Sequence, residues 1–141
     1  KWEKPSNYEI KVKARDVHGL DSEWSEPLLV NIMSEAPFFD ILKISGGFTK
    51  VKAVIKNIGS LDAYEVNCSI SVNGGIFKLI NVLYEENLEF IKIDEEKSVV
   101  ANKIFGFGKV NVTVTASAIY GNIATKTASG FVFGPVVFIL Q

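Results

Sequence analysis

The chain is expected to be all-β, an antiparallel two-sheet sandwich preceded by a short β segment, and two observations carry this. From Lys109 to Tyr120 the even positions Val110, Val112, Val114, Ala116, Ala118 and Tyr120 are apolar. Lys109, Asn111, Thr113, Thr115 and Ser117 between them are polar, and Ile119 is the exception. A period of two sets one face of a strand on a core and the other in water, whereas a helix would scatter the valines around its circumference. The second observation is spacing. Turn residues recur about every 8–12 positions with no useful helical period between them, the pattern of a sandwich.

Taken in order, residues 1–34 read as a hairpin. Tyr8, Ile10, Val12 and Ala14 alternate with Glu9, Lys11, Lys13 and Arg15, and Leu28, Val30 and Ile32 mark the returning strand. Between them DVHGLDSEWSEP is rich in turn formers. Two strands alone rarely hold together in water, so this piece completes a domain begun earlier or packs on the second unit. Ser34-Glu35-Ala36-Pro37 is the expected boundary, and residues 36–141 form that second unit.

In that unit Phe39, Ile41 and Ile44 mark a strand closed by Gly46-Gly47, and Val51, Ala53 and Ile55 mark another among Lys50, Lys52 and Lys56. Asn57 to Asp62 is a turn by composition. Val66 to Val72 is a strand, and Asn73-Gly74-Gly75 signals a tight hairpin because such turns need positive φ. Ile76 to Val82 returns, Leu88 and Phe90 mark a shorter strand, and Asp94-Glu95-Glu96-Lys97 is a charged turn. Val99 to Phe105 leads through Gly106-Phe107-Gly108, whose glycines permit a bulge or close packing. Tyr120-Gly121-Asn122 turns the chain back into Ala124 to Phe133.

The run Tyr8-Glu-Ile-Lys-Val-Lys-Ala-Arg-Asp16, then Gly19, then Ser22-Glu-Trp-Ser-Glu-Pro27, resembles the last two strands of a fibronectin type III or polycystic-kidney-disease (PKD) repeat. The second unit resembles the cell-adhesion-related (CARDB-type) domains of bacterial and archaeal surface proteins. The carrying residues are Val51-x-Ala-Val-Ile-Lys-Asn57-x-Gly59-x-x-Asp62-Ala63-x-x-Val66, then Lys97-Ser-Val-Val and Gly106-Phe-Gly-Lys-Val-x-Val-x-Val. Both resemblances imply an immunoglobulin-like antiparallel β-sandwich, here preceded by a partial fibronectin/PKD-like hairpin. They imply no shared catalytic residues.

Composition bounds the rest. The 141 residues carry a net charge of −1 and 48% hydrophobic residues, enough for a substantial core. Without a basic surplus, neither nucleic acid nor a polybasic membrane-surface segment is expected. No apolar run approaches the roughly 20 residues of a spanning helix. GFVFGPVVFILQ at the end reads as a core or edge strand. The opening KWEKPSNYEI lacks an initiating Met and a signal peptide, and reads as a fragment of a longer chain. The single Cys68, among the alternating Val66, Ile70 and Val72, cannot form an internal disulfide and reads as an inert buried thiol.

Candidate chemistry is sparse. Asp16, Asp21 and Glu23, in the loop with His18, could offer oxygens to Ca2+, but the spacing lacks an established loop pattern and these residues equally suit a turn. Trp24 could stack on a sugar; the resemblance implies instead that it packs across the sandwich end with a cation on its ring, and that is the reading we prefer. Trp2, Phe38, Phe39 and Tyr84 are weighed the same way. Glu85, Glu86 and Glu89, and Asp94 to Glu96, read as solvated turns, because a glycosidase needs two carboxylates at a fixed separation in unlike surroundings. His18 and Cys68 fall in different units, no G-x-S-x-G occurs, and Gly106 to Lys109 is not a phosphate loop. Asn67-Cys-Ser69 and Asn111-Val-Thr113 are sequons on outward strand positions.

The expectation is a protein that is no enzyme and uses no cofactor or metal: a structural, adhesion or spacer module of a multidomain cell-surface or secreted protein. The alternative is an accessory polysaccharide- or protein-binding domain of an exported hydrolase. Its partners would be other domains of the same chain, or a cell-surface protein or polysaccharide.

Overall fold

Strand β1 (Ser6–Ile10) pairs antiparallel with β2 (Leu28–Ile32), Ser6 opposite Ile32 and Ile10 opposite Leu28. The computed structural model describes residues 6–32 and 36–140; Trp2 and positions 34 and 35 of the expected boundary lie outside them. The chain divides into two compact units, Lys1–Ser34 and Glu35–Gln141.

In the first unit the expected strand through Ala14 stops at Ile10 because serine hydroxyls take over the pairing. Val12 N–H donates to Ser25 Oγ at 3.1 Å and Ala14 N–H to Ser22 Oγ at 2.9 Å. Ser25 and Ser22 N–H donate back to the Val12 and Ala14 carbonyls, both at 2.8 Å. A side chain that bonds the local backbone offers an alternative to the ladder, and the two serines of S-E-W-S do so here.

The second unit is an all-β antiparallel sandwich. Strands β3 (Phe39–Gly46), β4 (Val51–Asn57) and β7 (Glu96–Ala101) form one sheet in the order β3-β4-β7. The other has the order β10-β9-β8-β5-β6, from β5 (Ala63–Gly74), β6 (Ile80–Ile91), β8 (Gly106–Ser117), β9 (Ile123–Gly134) and β10 (Val136–Leu140). This arrangement is compatible with an immunoglobulin-like sandwich. Val51, Ile55 and Val99 of the first sheet and Val66, Ile70, Val72, Val112 and Val114 of the second are fully buried. Each buried aliphatic side chain contributes roughly 1.5–3 kcal/mol over its exposed state.

Val110, Val112, Val114 and Ala116 face the core as their period requires, but β8 ends at Ser117 and Tyr120 stands in the following turn, 86% exposed. The strand expected to end at Val82 and the one expected at Leu88 and Phe90 are one continuous β6. Its inward phase runs through Val82, Tyr84, Glu86 and Leu88 and passes to Ile91 at the end, and the polar Glu86 hides that continuity. Glu85, Glu86 and Glu89 therefore lie on a strand and not on a turn, whereas Asp94 and Glu95 do form the connection to β7. The Asn73-Gly74-Gly75 hairpin exists, but with a longer loop that includes a 3-10 turn at Ile76–Lys78. The last apolar stretch supplies β10, an edge strand.

Gly106-Phe107-Gly108 is a site of close packing. Gly108 has φ +115, and a Cβ there would lie 2.9 Å from Ile76 N. Only glycine accepts both conditions without strain.

Candidate binding groove at one end of the sandwich

Asn57 closes β4 as a completely buried amide, and three loops depend on it. Its Oδ1 accepts from Phe38 N–H at 3.2 Å and Gly59 N–H at 3.0 Å. Its Nδ2 donates to the Leu61 carbonyl at 2.8 Å and the Ile91 carbonyl at 3.3 Å. The backbone adds Asn57 N–H to Glu95 O at 3.2 Å and Asp94 N–H to Asn57 O at 2.9 Å. A buried amide is tolerable only when its donors and acceptors are used, and these are. Gly59 is required beside it, since a Cβ there would sit 2.4 Å from Ala36 O and Phe38 N.

Three more side chains fasten the same end. Asp62 Oδ1 accepts from Ile93 N–H at 2.8 Å, and Asn122 Oδ1 from Phe39 N–H at 2.7 Å. Glu95 Oε2 accepts from Lys92 N–H at 2.8 Å, and the Lys97 ammonium, then that amide, hold its carboxyl below the usual range.

With the polar groups turned onto the backbone, apolar side chains are left facing outward around a groove of about 970 Å3. Pro37, Leu61, Tyr64, Ile93, Ile119 and Tyr120 line it, with Asp62, Glu65 and Glu89 among them. Tyr64 is braced by Phe90, ring centroids 5.0 Å apart and tilted 42°. Register places Glu65 opposite Glu89, because Tyr64 pairs with Phe90 and Val66 with Leu88. Glu65 holds φ +50, an uncommon conformation for a side chain of its size. The site is concave, mostly apolar and negatively rimmed, as ligand grooves for uncharged or cationic groups are.

The residues singled out from the sequence are placed elsewhere. Asp16 Oδ1 accepts from His18 N–H at 2.8 Å and Leu20 N–H at 2.9 Å, the geometry of a capped turn. Asp21 is ion-paired with Arg15 at 2.6 Å and with Lys13, and Arg15 foremost lowers its pKa. Glu23 joins neither, and no group of three or more possible metal ligands forms among the described residues. Trp24 is 60% exposed, with Lys13 Nζ 5.4 Å from its ring centre. The cation expected on the ring is there, but the indole remains largely open.

Cys68 is buried, and that burial, with the nearby Glu86 charge, pushes its thiol up to about 12. It stays protonated at neutral pH and is a poor nucleophile. Tyr84 OH donates to Glu86 Oε2 at 3.3 Å. Asn67 and Asn111 are exposed, and Asn67 Oδ1 accepts from Asn87 Nδ2 at 3.0 Å.

Sequence reasoning misses the groove. Asn57 to Asp62 is readable only as a turn, Tyr120 only as the end of a strand, and Tyr64 carries no signal. Neither a protein-family model nor a curated protein matches this chain. No helix among the described residues is long and apolar enough to cross a membrane.

Proposed function

We propose that this chain is a non-catalytic structural or adhesion module, a spacer within a multidomain cell-surface or secreted protein. In this reading residues 1–34 close a fibronectin/PKD-like repeat and the second unit is a CARDB-like immunoglobulin-like sandwich. The observation that carries it is where the polar chemistry goes. Asn57, Asp62, Glu95, Asn122, Asp16, Ser22 and Ser25 bond backbone amides, Asp21 pairs with its own hairpin, and Cys68 is buried and protonated. Groups committed to fixing loops are not poised to transfer protons or attack a carbonyl. The S-E-W-S serines and Asn57-x-Gly59, the residues that carry the family resemblance, act on the backbone in this way.

The groove supports a second reading, an accessory domain that grips polysaccharide or protein through Tyr64 and Tyr120. A glycan array and a surface-protein panel probed with the 141-residue chain separate the two. Silence on both supports the spacer. A signal abolished by Tyr64→Ala and Tyr120→Ala supports the accessory domain, and turnover of a substrate by the purified chain contradicts both.

A further inference from the structure

The opposite end of the second unit has a different chemistry. There the β5–β6 loop carries Phe77 and Leu79, 89% and 80% exposed, beside an exposed Ile76. The β7–β8 loop adds exposed Phe105, which meets Phe107 edge-on at 6.1 Å, and Phe107 meets Phe133 the same way at 5.5 Å. Phe131 and Phe138, paired across β9 and β10, continue the outward face. Six phenylalanines together expose on the order of 700 Å2, above the few hundred that a soluble monomer usually shows in one patch.

Charge is segregated along with them. Lys50, Lys78, Lys103 and Lys109 are exposed at this end, and none is in an ion pair among the described residues. The loops 46–50, 75–79 and 102–107 hold no Asp or Glu, and neither does any position after Glu96. The net charge of −1 conceals this, because among the described residues the carboxylates of the second unit lie on β3, β5, β6, the start of β7 and the loops of the groove end.

We propose that this end docks on an anionic lipid surface, with Phe77, Leu79 and Phe105 entering the headgroup region and the four lysines meeting lipid phosphates. The most exposed apolar side chains project from loop tips, a shape that a soft interface accepts and a rigid protein partner must match with a cavity. Aromatic rings favour that interfacial depth, and each nearby lysine strengthens attachment to anionic lipid about fivefold. Phe77 and Lys78 are also held at φ +55 and +58, a conformation that bulky residues adopt rarely and chiefly at functional sites. The inference is independent of the spacer reading, which concerns the absence of catalysis.

The test is co-sedimentation of the 141-residue chain with vesicles of phosphatidylcholine plus phosphatidylglycerol, against phosphatidylcholine alone. Binding is expected to the anionic vesicles only and to weaken with added salt. Lys78→Gln with Lys103→Gln should lower the partition coefficient about 25-fold, and Phe77→Asp should abolish binding without changing the melting temperature. A Phe77→Trp variant should show a blue-shifted emission component on binding. Absence of sedimentation with either vesicle overturns the proposal, as does equal binding to both. Concentration-dependent association without lipid, removed by Phe105→Asp, also overturns it and assigns the face to a second copy of the chain.

Discussion

The two ends of the second unit are built by opposite means. At the groove end, side-chain amides and carboxylates hold the loops: Asn57 alone serves Phe38, Gly59, Leu61 and Ile91, while Asp62 and Asn122 each fasten a backbone amide. At the phenylalanine end the backbone holds itself. Gly75 N–H donates to Lys109 O at 2.7 Å, Ile104 N–H to Thr49 O at 3.0 Å and Val137 N–H to Gly47 O at 3.0 Å. The consequence is chemical. Where polar side chains are turned inward to the backbone, the residual surface is a rimmed groove. Where glycines let the backbone close on itself, the remaining side chains are free to point outward, and here they are phenylalanine and lysine.

This contrast sets the order of expected effects. Asn57→Ala should cost most, about 4 kcal/mol, because it strands several buried backbone groups, each worth about 1–3 kcal/mol unsatisfied. Urea denaturation measures it, and a cost under about 1 kcal/mol would mean that water replaces the amide easily. Gly108→Ala should cost about 3 kcal/mol by the same assay, through strain at its φ and contact with Ile76. Asp62→Ala removes a single exposed-loop bond to Ile93 and should cost about 1 kcal/mol, leaving the phenylalanine end untouched.

Two titrations act only away from neutral pH. The folded Cys68 thiol is raised from 9.0 to about 12, so the unfolded chain loses its proton first. Stability is then unaffected below about pH 9 and falls as pH rises from there towards 12, and Cys68→Ala should flatten that part of the profile. Asp21 has the opposite sign. Its pKa is lowered in the fold by Arg15 and then Lys13, so its contribution is present above the unfolded carboxylate range and is lost as pH falls through the folded value. The pair is solvent-exposed, and salt should erase most of this difference.

The sequence yields the strands more readily than the surfaces. Val110 to Ala116 and Val66 to Val72 have faces that differ sharply in polarity, and a period of two needs no tertiary knowledge to be recognised. β6 escapes because Glu86 occupies one of its inward positions, where only pairing to β5 reveals the phase. The groove escapes for a different reason. Pro37, Leu61, Tyr64, Ile93 and Tyr120 come from four separate segments of the chain, and Asn57, Asp62 and Asn122, which fasten those segments, read as ordinary turn residues until their bonds are seen. The charge segregation is the intermediate case. The absence of Asp and Glu after Glu96 is plain in the sequence, but only the fold gathers Lys50, Lys78, Lys103 and Lys109 at one end.

Amide hydrogen exchange on the wild-type chain and on Asn122→Ala tests the separate construction of the two ends most directly. The account predicts that the substitution exposes Phe39 N–H and raises exchange in the neighbouring groove loops, while Gly75, Ile104 and Val137 exchange as before. Equal loss of protection at both ends, or none at Phe39, would contradict it.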